Sequence, residues 1–175
     1  RLVSMYPYHV ATGNSFDLNQ YSRHCLLVQK KMEEISEATG KYSPFLEEIT
    51  IKEKIDDVNN PGKKITLVKV GAGVSNDQLR RWCIKNKLQY KSNVIMVEVN
   101  VVGAIGTCSH GAGIGTQTVS DLVYAIEFID YTGAIREISE KNDPTLIKSA
   151  ASSLGLLGII ISVTLKLDDL EIIRF

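Results

Sequence analysis

The hydrophobic pattern is clearest from residue 63 onward. Ile65–Val70 (ITLVKV) is a β-branched run that ends in Gly71-Ala72-Gly73, which predicts a strand followed by a tight turn. Ser75 has the position of a helix N-cap and Asp77 that of an acidic first-turn residue. Leu79, Trp82, Cys83 and Asn86 follow at i, i+3, i+4 and i+7, so the spacing predicts an amphipathic helix over Asn76–Lys87, with Arg80, Arg81 and Lys85 on its wet side. Val94–Val102 is a second β-rich stretch and leads into a predicted loop, Gly103–Gln117, that holds five glycines. Val123–Asp130 and Ala134–Ile138 flank Tyr131-Thr132-Gly133 and predict a hairpin. Asp143-Pro144 predicts a helix start, with Asp143 as N-cap, and the helix is expected to run through Ser153 and to end near Gly155. Gly158–Asp168 (GIIISVTLKLD) predicts a strand, continuous at first and then alternating.

The first third carries weaker signals. Leu2–Val10 and Cys25–Gln29 have the character of short strands, and Ala11-Thr12-Gly13-Asn14-Ser15 that of a tight loop. Lys30–Asn60 is charged, with a weak alternation at Glu48–Ile55, and reads as peripheral, closed by a turn at Asn59-Asn60-Pro61-Gly62. Strands, a hairpin and two helices in this mixed order predict an α+β fold rather than regular βαβ repeats.

Composition narrows the function classes. The chain has 175 residues, enough for one domain or two small subdomains sharing a core. Twenty basic and twenty acidic residues cancel, which argues against a general nucleic-acid binder. The longest apolar stretch, Gly155–Leu165, is too short to span a bilayer, so no transmembrane segment is expected, and the opening residues, which start on Arg1 and show no basic-then-apolar pattern, give no expectation of a signal peptide. Cys25, Cys83 and Cys108 form no CxxC motif, which argues against a disulfide scaffold or a zinc site, and no metal is expected. No N-x-S/T sequon is present, which fits an intracellular location without fixing one.

The candidate chemistry lies in Gly103–Gly115 (GAIGTCSHGAGIG). Glycines beside the hydroxyls of Thr107 and Ser109 expose backbone N–H groups to a close ligand, as phosphate and polar-cofactor sites require. The same composition also suits a surface loop without a ligand. Gly71-Ala72-Gly73 invites a dinucleotide fingerprint, but Asn76 stands where its last glycine belongs and no βαβ unit follows. His110 alone among the three histidines lies in the glycine-rich segment, and a lone histidine is more often structural than catalytic. Paired carboxylates such as Glu33-Glu34, Asp56-Asp57 and Asp168-Asp169 read as solvated faces.

At this segment the chain resembles a family. Val102–Gly115 is similar to the flavin-contacting stretch of the FAD-binding domain of the vanillyl-alcohol oxidase and p-cresol methylhydroxylase (PCMH) type, whose pattern is roughly G-a-x-a-T-g-t-H-G-x-G. Val68–Val74, Leu88–Val99 with Ser92 and Asn93, Ser120–Val123 and Tyr131–Gly133 resemble the family's flanking stretches in the same order. Leu154–Lys166 resembles the end of that domain in the sugar-lactone oxidase branch, which includes gulonolactone and arabinonolactone oxidases.

The resemblance implies a two-subdomain α+β FAD-binding fold, with a smaller lobe over residues 1–75 and a larger one over 76–175. It implies that Thr12, Gly13, Asn14 and Ser15 cradle the pyrophosphate, in a loop matching G-x-G-H-S in which Ala11 replaces the first glycine and Asn14 the histidine. Thr107, Cys108, Ser109 and His110 would line the flavin and its ribityl chain, Gly103 and Ala104 would allow close approach, and Gly158 and Ile159 would touch FAD near the last strand. Because asparagine lacks a nucleophilic ring nitrogen, FAD is expected to be held non-covalently. The family oxidises alcohols or sugar lactones, with the flavin carrying the redox chemistry. Its members have a C-terminal domain that supplies the substrate-binding and catalytic side chains, and the resemblance here ends near Asp168. The catalytic residues are therefore unassigned, and the resemblance implies that a C-terminal domain or another chain completes the site around a small-molecule substrate. The alternative is a catalytically inactive assembly subunit that retains the FAD-binding fold.

Overall fold

A computed structural model of the chain describes residues 46–58, 60–113, 115–130 and 132–171. The expected strands at Leu2–Val10 and Cys25–Gln29 and the loop at Ala11–Ser15 lie outside them.

The elements are β1 (Ile49–Asp56), β2 (Lys64–Gly71), α1 (Asn76–Lys85), β3 (Leu88–Gln89), α2 (Val101–Gly106), β4 (Val123–Ile129), β5 (Ile135–Ser139), α3 (Leu146–Ala151) and β6 (Ile159–Asp169), with a 3₁₀ turn at Val119–Leu122 before β4. The strands form an antiparallel sheet in the order β1-β2-β6-β4-β5, and β3 pairs with the end of β6. The α+β class expected from the order of elements is the observed one. Glu48–Ile55, expected only as peripheral chain, falls largely in a paired strand at the edge of the described sheet, because β2 gives it a ladder partner at each residue from Lys64 to Val70. β2 also pairs with β6, so the sheet runs across the boundary expected after residue 75.

One face of the sheet carries the core. Val68 and Val70 of β2, Val163, Leu165 and Leu167 of β6, and Ile126 and Phe128 of β4 meet Leu79 and Cys83 of α1, Val101, Val102 and Ile105 of α2, and Ile147, Ala150 and Ala151 of α3. Each fully buried large aliphatic side chain here contributes about 1.5–3 kcal/mol. Burial also pushes the Cys83 thiol up to about 12, so it stays protonated and behaves as a small hydrophobe. A β-bulge resets the alternation in β6. Glu127 faces Ser162 and Phe128 faces Ile160, so Ile161 has no partner across the ladder. It joins Ile129, Ile159 and Leu46 in a second apolar cluster. Beside it, Lys69 Nζ lies 2.5 Å from Glu127 Oε2, and Ser162 Oγ donates to the same oxygen at 2.6 Å.

The helix ends follow their signals. Ser75 and Gln78 form a reciprocal capping box on α1, with Gln78 N donating to Ser75 Oγ at 3.2 Å and Ser75 N to Gln78 Oε1 at 2.7 Å. The Asp143 carboxylate accepts from Leu146 N at 2.8 Å, as an N-cap should, although α3 ends at Ala151 rather than Ser153. In the β4–β5 hairpin, Asp130 accepts from Thr132 Oγ1, Thr132 N, Ala134 N and Arg136 Nε. Those bonds, that from the Thr132 hydroxyl foremost, hold its carboxyl well below the usual carboxylate range. The expected strand at Val94–Val102 is corrected. The chain there is irregular and makes only a single bridge, Ser75 with Asn100, before α2 begins. Its last two β-branched residues, Val101 and Val102, are buried in α2, whereas Ile95 is exposed.

Two outcomes test this frame. Gly158 has φ +135°, and a Cβ there would stand 2.2 Å from Ile129 O. Gly158→Ala should therefore cost about 2–3 kcal/mol in urea unfolding. Gly62→Ala, at φ +89° in open space, should cost only about 1 kcal/mol. Burial pushes the Glu127 carboxyl up, but the bonds from Lys69 and Ser162 outweigh it and leave the group below its ordinary 4.5. Its contribution is present above that value and is lost as pH falls through the lowered folded-state value. Glu127→Gln should flatten the acid limb of the urea midpoint measured from neutral pH downward.

Candidate functional site

The predicted loop Gly103–Gln117 begins as helix, because α2 takes in Gly103 and Gly106. The helix forms where it does because its apolar residues have a core to meet. Val101, Val102, Ala104 and Ile105 are buried, and Val101 N donates to Val74 O at 3.0 Å, tying the helix start to the end of β2. The opposite side carries Gly103, Gly106 and Thr107, spaced i, i+3 and i+4. Glycine inside a helix costs about 1 kcal/mol relative to alanine. Yet a Cβ at Gly103 or Gly106 would meet no described atom within 4 Å. Packing among the described residues therefore does not demand these glycines, and that side of the helix leaves room for a flat group.

The turn after α2 collects the other candidates. Ser109 N donates to Ala104 O and Cys108 N to Ile105 O, both at 3.0 Å, which is the double bond pattern of a Schellman stop. Cys108 occupies its left-handed position with φ 53°. Thr107 Oγ1 lies 3.0 Å from Gly103 O and 3.0 Å from Ser109 Oγ, so the two hydroxyls form one polar edge beside the glycine surface. His110 is exposed, and its Nδ1 lies 3.0 Å from Gly111 O. Since a carbonyl only accepts, Nδ1 carries the hydrogen and Nε2 faces outward without a partner among the described residues. The turn is fixed from behind by Val119 N on Ser109 O at 2.9 Å and by the buried Ser120 Oγ on Ile105 O at 2.6 Å.

Of the sequence-expected site residues, Gly103, Thr107, Cys108, Ser109 and His110 are thus brought together. Ala104 is turned into the core, so it cannot offer its side chain to a ligand on that surface. Gly158 and Ile159 open β6. Leu154 N donates to Gly106 O at 3.2 Å, which brings the segment leading to them against the end of α2. The glycine at 158 is already required by Ile129, and Ile159 packs in the second apolar cluster. Thr12, Gly13, Asn14 and Ser15 lie outside the described residues. A contact the sequence did not reveal joins Gly111 to Asn93, where a Cβ on Gly111 would stand 2.6 Å from Asn93 O. Only the short distance between two loops in space shows it. Among the described residues no cluster of His, Cys, Asp and Glu could hold a metal, and no helix is long and apolar enough to cross a membrane.

The donor set fits a flavin nucleotide. It offers an open glycine surface, neutral hydroxyls and an imidazole nitrogen at its edge. Cys108 offers an independent check on the turn. A side chain in the left-handed region costs about 1 kcal/mol, which glycine avoids, and the family pattern has glycine there. Cys108→Gly should raise the stability of the chain by about 0.5–1 kcal/mol in urea unfolding.

Comparison with known proteins agrees with this geometry. The family described as FAD binding domain matches residues 48–139, just over half of the chain. L-gulonolactone oxidase of Mus musculus is 29% identical over 113 residues, covering 65% of this chain and 26% of that protein. D-arabinono-1,4-lactone oxidase of Debaryomyces hansenii is 31% identical over 110 residues, covering 62% of this chain and 20% of that protein. The chain thus spans about a quarter or less of the length of these curated relatives. Among solved structures, cholesterol oxidase of Brevibacterium sterolicum shares the fold with a TM-score of 0.56 at 22% identity, over 71% of this chain and 24% of that one. The match over residues 48–139, which takes in β1, β2, α2 and the β4–β5 hairpin, shows that this chain belongs to the family of FAD binding domains.

Proposed function

We propose that this chain is the non-covalent FAD-holding part of an oxidoreductase that oxidises an alcohol or a sugar lactone. The observation that carries the reading is the glycine surface of α2, where no described residue requires Gly103 or Gly106. Thr107 and Ser109 would offer hydroxyls to the flavin and its ribityl chain, and His110 its outward nitrogen, with Cys108 shaping the turn between them. The segment before Gly158 and Ile159 would border the same end of α2, and Thr12–Ser15 would hold the pyrophosphate. FAD, when bound, supplies a two-electron acceptor that takes a hydride from the substrate and is reoxidised by oxygen or another acceptor. The side chains that bind the substrate and move its proton would come from a further domain or another chain. The likeness to the lactone oxidases named above supports a lactone or related polyol as substrate.

The test is direct. The purified chain should be yellow or should take up added FAD, and acid precipitation should release the colour into the supernatant. Gly103→Val should leave the urea midpoint unchanged or slightly raised, because valine is the better helix former and its Cβ meets nothing. It should weaken FAD binding at least tenfold in a fluorescence titration. Unchanged FAD affinity would refute the placement of the flavin on α2. Colour kept by the acid pellet would refute non-covalent binding. A chain that takes up no FAD would favour the inactive assembly subunit.

A further inference from the structure

The segment Lys91–Val99 has no regular structure, yet it abuts the flavin turn. A buried side chain stands at its centre. Asn76, at the start of α1, has Nδ2 3.0 Å from Asn93 Oδ1, 3.0 Å from Val94 O and 3.1 Å from Met96 O, and shares its two hydrogens among these three acceptors. Its Oδ1 accepts from Tyr90 Oη at 2.6 Å. Its backbone N donates to Val99 O at 2.8 Å, and that of Asp77 to Val97 O at 3.0 Å. Among the described residues the segment's own buried hydroxyl, Ser92 Oγ, makes no hydrogen bond, and at its start Lys91 pairs with Asp168 at 3.2 Å. The restrained Asn93 peptide is the surface on which Gly111 rests, too close to admit a Cβ. Gly111 O in turn orients the His110 ring through Nδ1.

We infer that Asn76 is a positioning residue for His110, acting through the Asn93 backbone and Gly111. The inference rests on the FAD reading for its functional consequence, but its structural half does not. An apolar residue at 76 would leave Val94 O and Met96 O without their donor and free the loop against which the turn is set. Tyr90 contributes less, because its hydroxyl bonds the Oδ1 of Asn76 at 2.6 Å and reaches Asn93 Oδ1 only at 3.3 Å, and its loss leaves the Asn76 amide on the Val94 and Met96 carbonyls.

The experiment uses the full chain in two readouts. In the FAD-free chain, ring nitrogen NMR of His110 should show the Nδ1–H tautomer in wild type and in Tyr90→Phe. It should shift toward the Nε2–H tautomer in Asn76→Ala and in Gly111→Ala. Ile147→Ala, which damages the core beneath α3 instead, should leave the tautomer unchanged. In a fluorescence titration with FAD, well below the unfolding temperature, Asn76→Ala and Gly111→Ala should each raise Kd about tenfold. The double variant should be no more than about twofold worse than the poorer single one, as expected for two changes on one route. Ile147→Ala and Tyr90→Phe should stay within about threefold of wild type. Should Asn76→Ala fail to fold, Gly111→Ala carries both readouts. A wild-type tautomer in Gly111→Ala, or a shift of the same size in Ile147→Ala, overturns the inference. If wild type binds no FAD but the tautomer responds as stated, the FAD reading fails and the positioning stands. If wild type binds FAD and Asn76→Ala and Gly111→Ala bind it equally well, the inference fails and the FAD reading stands.

Discussion

Everything described here depends on β6 lying at the centre of the sheet. It is the last strand among the described residues, yet it pairs with β2 on one side and β4 on the other. Val163, Leu165 and Leu167 are fully buried and supply the middle row of the core, while β2 and β4 supply the rows beside it. No sheet closes until residues 159–169 are in place, so folding waits on long-range pairing, the slow step for such topologies. The same strand begins at Gly158, where the backbone turns against Ile129 with a φ open only to glycine. α2 is positioned by this arrangement at both ends, at its start by β2 through Val74 and at its finish by Leu154, just ahead of β6.

Two physical classes of glycine bear on the proposed site. Gly158 and Gly111 are demanded by neighbouring backbone, since a Cβ at either would collide with a carbonyl oxygen. Gly103 and Gly106 meet nothing and sit in a helix, where glycine is unfavourable. A count of glycines cannot separate these classes, because both occur in one glycine-rich run. Once the backbone is known, the first class is explained by folding and the second calls for something outside the described residues.

The sequence shows much of the frame and little of the loop geometry. β2, α1, the β4–β5 hairpin and β6 are legible because each has a strong local signal: β-branched runs, a capping box at Ser75 and Gln78, and the Asp130 turn. α2 is not legible, since Gly103 and Gly106 hide a helix whose stability comes from burying Val101, Val102 and Ile105. β1 is faint for the opposite reason: as an edge strand it leaves most of its side chains in water and so shows little alternation. Asn76 drew notice only as a departure from a glycine pattern. Its buried bonds to three residues of a later segment depend on tertiary distance, which no spacing rule encodes.

The proposed flavin surface also explains why such restraint is needed. Between Glu98 and Asp121 the sequence has no Lys, Arg, Asp or Glu. Within this stretch a ligand would be met by hydroxyls, backbone groups and one imidazole. Coulomb attraction falls off gradually and tolerates misplacement, whereas neutral hydrogen bonds weaken steeply outside a narrow range of distance and angle. A site of this kind therefore gains affinity from preorganisation, with each donor held by an inner layer of contacts. The Schellman stop at Cys108, Ser120 Oγ beneath Ile105 O and the Asn76 clamp behind Gly111 provide that layer. The left-handed Cys108 is consistent with the same demand: the chain keeps a strained residue there, and the turn that places Thr107 and Ser109 side by side stays closed around it.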